Sequence, residues 1–381
     1  MMTRRRFLKA AGVCSCALAL GTSLTSGYGR TQGETLRERL EVLRRRHGVP
    51  ALAAAFARSE GLIALEAVGV RRRGAPDPVQ LDDRFHLGSC TKAMTATLLA
   101  TFVEEGALSW ETTIAEALPE EITSEIHPAY RGVTLHQLLS HRSGLPEDSS
   151  PDPELQRAVR TLRGPLPEQR LELARFALGR PPAAEPGSRF LYSNTGYVIA
   201  AAFAERLVGR PWEELIAERL FAPLAMETAG FGPPGPGDDA PWGHTARGCR
   251  PVPPGPAADN AAVFGPAGRV HSSLADWAKF VVLHLKGARG EEGLLLQPQT
   301  FRALHEDRYR QGYALGWVVV QRDWAGGTAL AHTGSNTLWF AVVWLAPKRD
   351  AAFLAATNCG SDQGFRACDA AVAAMIGLYL G

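Results

Sequence analysis

Strand-length apolar runs gather near both ends of this chain, and the long stretch between them carries helical periodicity. On the N-terminal side, residues 51–57 and 62–70 are apolar and flank Arg58-Ser59-Glu60-Gly61, a hairpin-like turn. On the C-terminal side the apolar runs are 314–321, 328–332, 338–345 and 352–356, joined by turn residues. Between them, helical patterns are expected at 135–139, 153–162, 167–178, 195–208 and 212–220, with Pro- and Gly-rich connectors at 181–187, 232–241 and 251–256. Helices are also expected at 34–47, from Ser89 to about Glu105, from Ser273 onward, and at 363–380. Strands at both ends with helices between predict an α/β (α+β) lobe built from both termini, with an all-helical lobe inserted. The boundaries implied are about 34–90 and 266–380 for the α/β lobe and about 91–265 for the helical lobe.

The first residues read as an export signal spanning about 1–30. Arg4-Arg5-Arg6-Phe7-Leu8-Lys9 precedes a short, weakly apolar run rich in small residues. A basic head before such a run is a signal-peptide pattern, and the run is too short for a comfortable membrane span. Paired arginines before Phe-Leu-Lys favour twin-arginine export over the general secretory route. Once the signal is removed no stable membrane span is expected, and the mature domain covers 34–380 as an exported, periplasmic or secreted protein. Cys14 and Cys16 leave with the signal; neither has a good lipid-attachment context. Of the remaining cysteines, Cys359 and Cys368 are close in sequence and are candidates for pairing in an oxidising compartment. The net charge of +2 and the scattered arginines give no basic stripe for nucleic acid. No His/Cys cluster has metal-ligand spacing, and His136 and His141 read as helix-end and loop residues; no metal or organic cofactor is implied.

Three short motifs carry the chemistry. Lysine is rare, at positions 9, 92, 279, 286 and 348, and only Lys92 has a serine three places before it, in Ser89-Cys90-Thr91-Lys92. A serine hydroxyl needs a nearby base to become a nucleophile. Residues three apart on a helix share a face, so Lys92 can reach the Ser89 hydroxyl. Ser89 also suits a helix N-cap, where free N–H groups and the helix dipole would favour an oxyanion. No other charge occurs from Cys90 to Phe102, so Lys92 is expected to be buried, which is a reason for an unusual proton affinity. The second motif is Tyr192-Ser193-Asn194. Asn194 reads either as a partner of Lys92 or of substrate, or as the N-cap of the following helix. The third is His332-Thr333-Gly334, at the end of an apolar run. His86-Leu87-Gly88 also fits the third pattern but reads as the lead into the Ser89 helix.

In this order and spacing, the three motifs resemble the serine β-lactamase and penicillin-binding protein superfamily, in its class C-related branch of esterases, peptidases and β-lactamases. Leu138-Leu139-Ser140-His141-Arg142-Ser143-Gly144-Leu145, Pro223-Leu224-Ala225-Met226 and the segment from Gly268 to Ser273 resemble it too. The resemblance implies a β-lactamase/transpeptidase-like fold with an antiparallel sheet of about five strands, flanked by the terminal helices, and a cleft between lobes. It implies an acyl-enzyme on Ser89, with Lys92 and Tyr192 sharing acid and base duty. It further implies substrate contacts from Asn194, His332, Thr333, Gly334 and Ser335, the Ser335 N–H completing an oxyanion hole with that of Ser89. The β-lactamase pattern has Lys where this chain has His332. Histidine lacks a permanent charge near pH 7, so a grip on a substrate carboxylate is missing. The expectation is therefore a carboxylesterase or peptidase acting on a small-molecule or peptide substrate. A class C-like β-lactamase or D,D-carboxypeptidase, and a non-catalytic peptidoglycan- or peptide-binding relative, are the alternatives. Oligomeric state is left open.

Overall fold

A computed structural model describes residues 33–381 apart from 148–151, 236, 238 and 294. The expected export signal, with Cys14 and Cys16, lies outside the described residues. The α/β part is a six-stranded antiparallel sheet. Its strands are β1 (Ala51–Arg58), β2 (Gly61–Gly69), and, from the far end of the chain, Val318–Arg322, Gly327–Ser335, Phe340–Ala346 and Ala351–Thr357. Short strands fall between: β3 (Phe85–His86), β4 (Gly230–Phe231), β5 (Gly243–His244), β6 (Pro251–Val252) and β7 (Val270–Ser272). The four C-terminal strands are thus β8 to β11, and the sheet order is β2-β1-β11-β10-β9-β8. The two chain ends meet where β1 pairs with β11, Ala54 opposite Ala355. The apolar runs in the sequence had already marked six strands, where the resemblance suggested about five.

Side chains alternate across a strand, so each strand feeds two cores. On one face, Ala53, Ala55, Val343, Leu345 and Leu354 pack with Trp277, Phe280 and Val281. On the other, Leu52, Phe56, Val342, Trp344 and Phe353 pack with Leu40, Leu43, Val372 and Met375. The central strands β10 and β11 are buried throughout, as strands covered on both faces must be. The covering helices of the second face are α1 (Leu36–His47) and the closing helix Asp362–Tyr379. Helix α1 opens with a capping box between Thr35 and Glu38 and closes at Gly48, whose φ of 62° suits glycine.

The helical part is organised by α2 (Thr91–Glu104) and a second apolar helix, Asn194–Val208. Both are buried almost all round, which accounts for their weak amphipathicity. Arg170, on the helix Leu166–Leu178, is fully buried and ion-pairs with Glu205 and Glu213, tying three helical segments together. A buried network of this kind is costly to break from one side.

Several sequence expectations need correction. Ser89 does not begin an α-helix: residues Gly88–Cys90 form a 3-10 turn, and the α-helix starts at Thr91. The helix expected over 212–220 is α-helical only at Trp212–Ile216 and widens into a π turn over Ala217–Phe221. The run from Ala314 becomes a strand only at Val318, because Gly316 turns with φ +83° close against Ala93. The helix Pro298–His305 and the short strands β3 to β7 were not anticipated.

The disulfide also differs from expectation. Cys359 pairs with Cys249, at a Cα separation of 5.9 Å, and Cys368 is free and buried. Cys359 follows β11 and lies beside the β5–β6 hairpin, where Gly360 N–H donates to the His244 carbonyl. Cys368 instead sits on the closing helix, its sulfur against the Phe340 carbonyl. Closeness in sequence gave the wrong partner because the chain turns between them. The bond closes a span of 110 residues, so Cys249→Ser should lower unfolding free energy by about 2–4 kcal/mol. Urea titration of oxidised wild type and variant checks this. Cys368→Ser leaves that bond intact and should keep the wild-type sensitivity to reductant.

Candidate active site

The first motif is held by close backbone packing. Gly88 has φ +51°, and a Cβ there would lie 2.3 Å from the Ser335 nitrogen. A Cβ on Gly334 would lie 1.9 Å from the Leu87 carbonyl oxygen and 2.7 Å from the Ser89 nitrogen. Only glycine permits the turn and the end of β9 to approach this closely. The backbone amides of Ser89 and Ser335 are thereby brought to the same corner. The Ser335 hydroxyl is engaged elsewhere, donating to the Trp339 carbonyl at 2.7 Å and accepting from Thr337 N–H at 2.9 Å. It is the Ser335 backbone, not its side chain, that faces the turn.

Lys92 lies one helical turn on and is fully buried. Its Nζ is 3.1 Å from Ser89 Oγ, 2.6 Å from Asn194 Oδ1 and 2.6 Å from the Ala267 carbonyl oxygen. Carbonyl oxygens only accept, so two of its hydrogens are directed at Asn194 and Ala267. The direction toward Ser89 then holds either a further hydrogen or, in the neutral amine, the lone pair. Ser89 does not act as a cap; the residue at the helix start is Cys90, without a side-chain cap bond. For the second motif, Ser193 is the N-cap, accepting from Gly196 N–H, and Asn194 faces Lys92. Tyr192 is buried with its ring centroid 4.9 Å from Lys92 Nζ.

His141 is the residue that sequence reading undervalued. Its backbone is left-handed, with φ 59°. Its carbonyl accepts from Leu191 N–H at 2.8 Å and its Nδ1 from Ser193 N–H at 3.0 Å. It therefore holds both sides of Tyr192, and its ring lies 4.2 Å from that of Tyr192. Accepting at Nδ1 requires a neutral ring, and burial, with Lys92 and His332 nearby, pushes its pKa far down. The signal in sequence was a histidine directly after the Leu-Leu-Ser end of a short helix, too local to disclose a partner some fifty residues away.

His332 lies in β9 on the face that carries Leu330 and Val343, toward α2. Its Nδ1 is 2.7 Å from the Thr333 carbonyl oxygen and its Nε2 3.1 Å from the Tyr313 hydroxyl. The carbonyl fixes the proton on Nδ1, so Nε2 accepts from Tyr313. Burial, then the nearby Lys92, lowers its pKa to about 3. Histidine here is neutral across the whole working range, not merely near pH 7. Thr333 pairs with Val342 and so alternates to the other face, with its hydroxyl buried and unpartnered. Ser89, Lys92, Tyr192, Asn194, His332 and the backbone at Gly334 and Ser335 are thus gathered at one place, and the Thr333 side chain is not. Among the described residues, no group of three or more His, Cys, Asp or Glu could hold a metal ion, and no helix is long and apolar enough to cross a membrane.

The sequence profile described as Beta-lactamase matches residues 34–375. The chain belongs to the beta-lactamase family of serine hydrolases. Penicillin-binding protein 4 of Amycolatopsis lactamdurans is 28% identical to it over 347 residues, 86% of each chain. The lovastatin esterase of Penicillium rubens is 26% identical over 322 residues, 70% of this chain and 78% of the esterase. In structure, the octameric penicillin-binding protein homologue from Pyrococcus abyssi superposes with a TM-score of 0.72 at 23% identity, covering 90% of this chain and 77% of that one. That likeness supports the β-lactamase/transpeptidase-like fold.

This beta-lactamase-family chain buries many neutral histidines, and that has a measurable consequence. Burial lowers His136, His244 and His271 to about 4, and His305 and His332 to about 3, from an ordinary 6.5. Folded values lie below unfolded ones, so the unfolded chain binds more protons between them. Stability is then present above about pH 6.5 and is lost as pH falls toward 4, by about 1.4 kcal/mol per pH unit for each group. Burial raises Asp369 to about 6 and also raises Glu205, and these two carboxyls oppose the trend. Urea midpoints should fall steeply from pH 7 to 5, and His305→Phe, if it folds, should flatten the slope.

Proposed function

We propose that the protein is an exported serine hydrolase that cleaves a neutral ester or amide through an acyl-enzyme on Ser89, with carboxylesterase or peptidase activity ahead of β-lactamase activity. The observation that carries this reading is the 3.1 Å approach of a fully buried Lys92 nitrogen to Ser89 Oγ. In the first step, neutral Lys92 takes the hydroxyl proton as Ser89 Oγ bonds to the substrate carbonyl carbon. Negative charge on the carbonyl oxygen falls to the Ser89 and Ser335 amides. Collapse breaks the bond to the leaving alcohol or amine, which receives a proton through Lys92 and Tyr192. Water then repeats the sequence on the acyl group, yielding the acid and restoring Ser89. Asn194 and the Ala267 carbonyl orient the lysine; Gly334 leaves room for the substrate backbone.

Preference for neutral substrates follows from the uncharged His332. Similarity to a D-alanyl-D-alanine-carboxypeptidase/endopeptidase over 43% of the chain supports the peptidase form, and similarity to an esterase over 70% supports the esterase form. Export is supported by the basic, apolar N-terminus and by the Cys249–Cys359 disulfide, a bond that persists in oxidising compartments.

A fluorophosphonate should add covalently to Ser89 with a stoichiometry approaching one, and Ser89→Ala should abolish the adduct in intact-mass spectra. Undiminished labelling of that variant would remove the acyl-enzyme assignment. At pH 8, kcat/KM for a nitrophenyl ester should exceed that for an anionic cephalosporin. His332→Lys should strengthen apparent binding of the cephalosporin by about 1–3 kcal/mol at most, with no gain for the ester. For export, replacing Arg4 and Arg5 by lysine should block secretion by the twin-arginine route; unchanged secretion points to the general route.

A further inference from the structure

Close to the nucleophile turn lies a buried carboxylate that the reaction above does not use. Asp259 follows a 3-10 turn at Pro256–Ala258, and its side chain is 2% exposed. Its Oδ1 is 2.9 Å from His86 Nε2 and accepts from Asn336 Nδ2 at 3.1 Å; its Oδ2 accepts from Arg269 Nε at 2.8 Å. Because His86 Nδ1 accepts from the Gly88 N–H, the ring carries its proton on Nε2, the nitrogen that faces this oxygen, though not in good line with it. Burial pushes the Asp259 carboxyl up, but His86, Arg269 and Asn336 outweigh it and hold the group at about 2.

Each of the three partners leads to a different wall of the site. His86 accepts the Gly88 N–H at its Nδ1, 3.1 Å away, one residue before Ser89. Asn336 directly follows Ser335, and its Nδ2 also donates to the Ala258 carbonyl. Arg269 lies two residues after Ala267, whose carbonyl receives Lys92. One carboxylate thus meets the turn that carries the first oxyanion amide and the strand end that carries the second. It also meets the segment that orients the lysine. Its side chain is almost wholly buried, and the reaction above gives it no part. A buried ion with three polar partners is expensive to assemble, and apolar residues would pack this space at lower cost.

We propose that Asp259 is a positioning residue that, acting through His86 and Asn336, fixes the relative placement of the Ser89 and Ser335 amides. The proposal rests on the acyl-enzyme reading of Ser89. Asp259→Ala should lower kcat for a nitrophenyl ester about 10- to 100-fold with KM nearly unchanged, because the oxyanion forms after binding. Affinity for a boronic acid, which mimics the tetrahedral adduct, should fall by a similar factor. His86→Phe should behave alike, and the double variant should lose no more than the worse single one, since both interrupt one connection. If Asp259→Ala does not fold, His86→Phe and Asn336→Ala supply the same kinetic and boronate readouts. Folded variants with kcat and boronate affinity within twofold of wild type would overturn the proposal, as would losses that multiply in the double variant. Fluorophosphonate labelling of wild type separates the two layers: an unlabelled Ser89 defeats the hydrolase reading and the brace with it. A labelled wild type beside an unimpaired Asp259→Ala defeats the brace alone.

Discussion

A lysine nitrogen without exposed surface sits where three remote stretches of chain converge, and the rest of the molecule is arranged to make that possible. Taking an amine out of water is tolerable only where acceptors replace the lost hydration. Lys92 finds them at Ser89 on its own turn, at Asn194, 102 residues on, and at the Ala267 carbonyl, 175 residues on. Asn194 comes from the helical segment and Ala267 from the stretch that returns toward the sheet. The site therefore forms only when both parts of the fold are docked. This explains why α2 and the helix Asn194–Val208 are apolar nearly all round: between them they exclude water from the lysine.

Around that nitrogen the protein has placed imidazoles and phenols rather than charges. His141 and His332 are both held neutral, each with one ring nitrogen committed to an acceptor or donor on the backbone. Their low pKa values come first from burial and then from Lys92, so the lysine and the histidines reinforce one outcome. Two protonated histidines here would be strongly unfavourable beside any positive charge on Lys92. Tyr313 continues the same theme: its hydroxyl faces His332 Nε2 and its ring lies 4.9 Å from that of His141. The pocket is polar but carries little fixed charge beyond the lysine, a setting in which proton transfer meets low electrostatic resistance.

Much of this was legible in the sequence, and what was legible had local causes. Strand-length apolar runs marked the six strands, and the near-continuous apolar patterns marked the two buried helices. The rarity of lysine made Ser89-Cys90-Thr91-Lys92 conspicuous, and the order of the three motifs marked Tyr192, Asn194 and His332. The misses share a different cause. The Cys249–Cys359 bond, the His141 support of Tyr192 and the Asp259 contacts join residues that only the tertiary fold brings together. Ser89 leaving the α-helix for a 3-10 turn depends on Gly334 crowding the turn, a contact between positions almost 250 residues apart. Asn194 shows the intermediate case: its two readings were both chemically sound, and a neighbouring serine decided between them by taking the cap.

The same close backbone approach separates the part of the site that can vary from the part that cannot. At Gly88 and Gly334 a single added carbon would collide with backbone, which has no rotamer by which to yield. The corner where the Ser89 and Ser335 amides meet is consequently set by main-chain packing, and side-chain substitution near it must act through partners such as His86 or Asn336. The loop from 232 to 256 is under a different constraint. It touches the hairpin after Ser335 through the His244 N–H to the Leu338 carbonyl, and it is fastened at Cys249 by the disulfide. Between those two anchors its side chains are free to change without moving an amide of that corner. The glycine-packed turn and this tethered loop are therefore held by separate contacts, the one by backbone against backbone and the other by a strand bond and a disulfide.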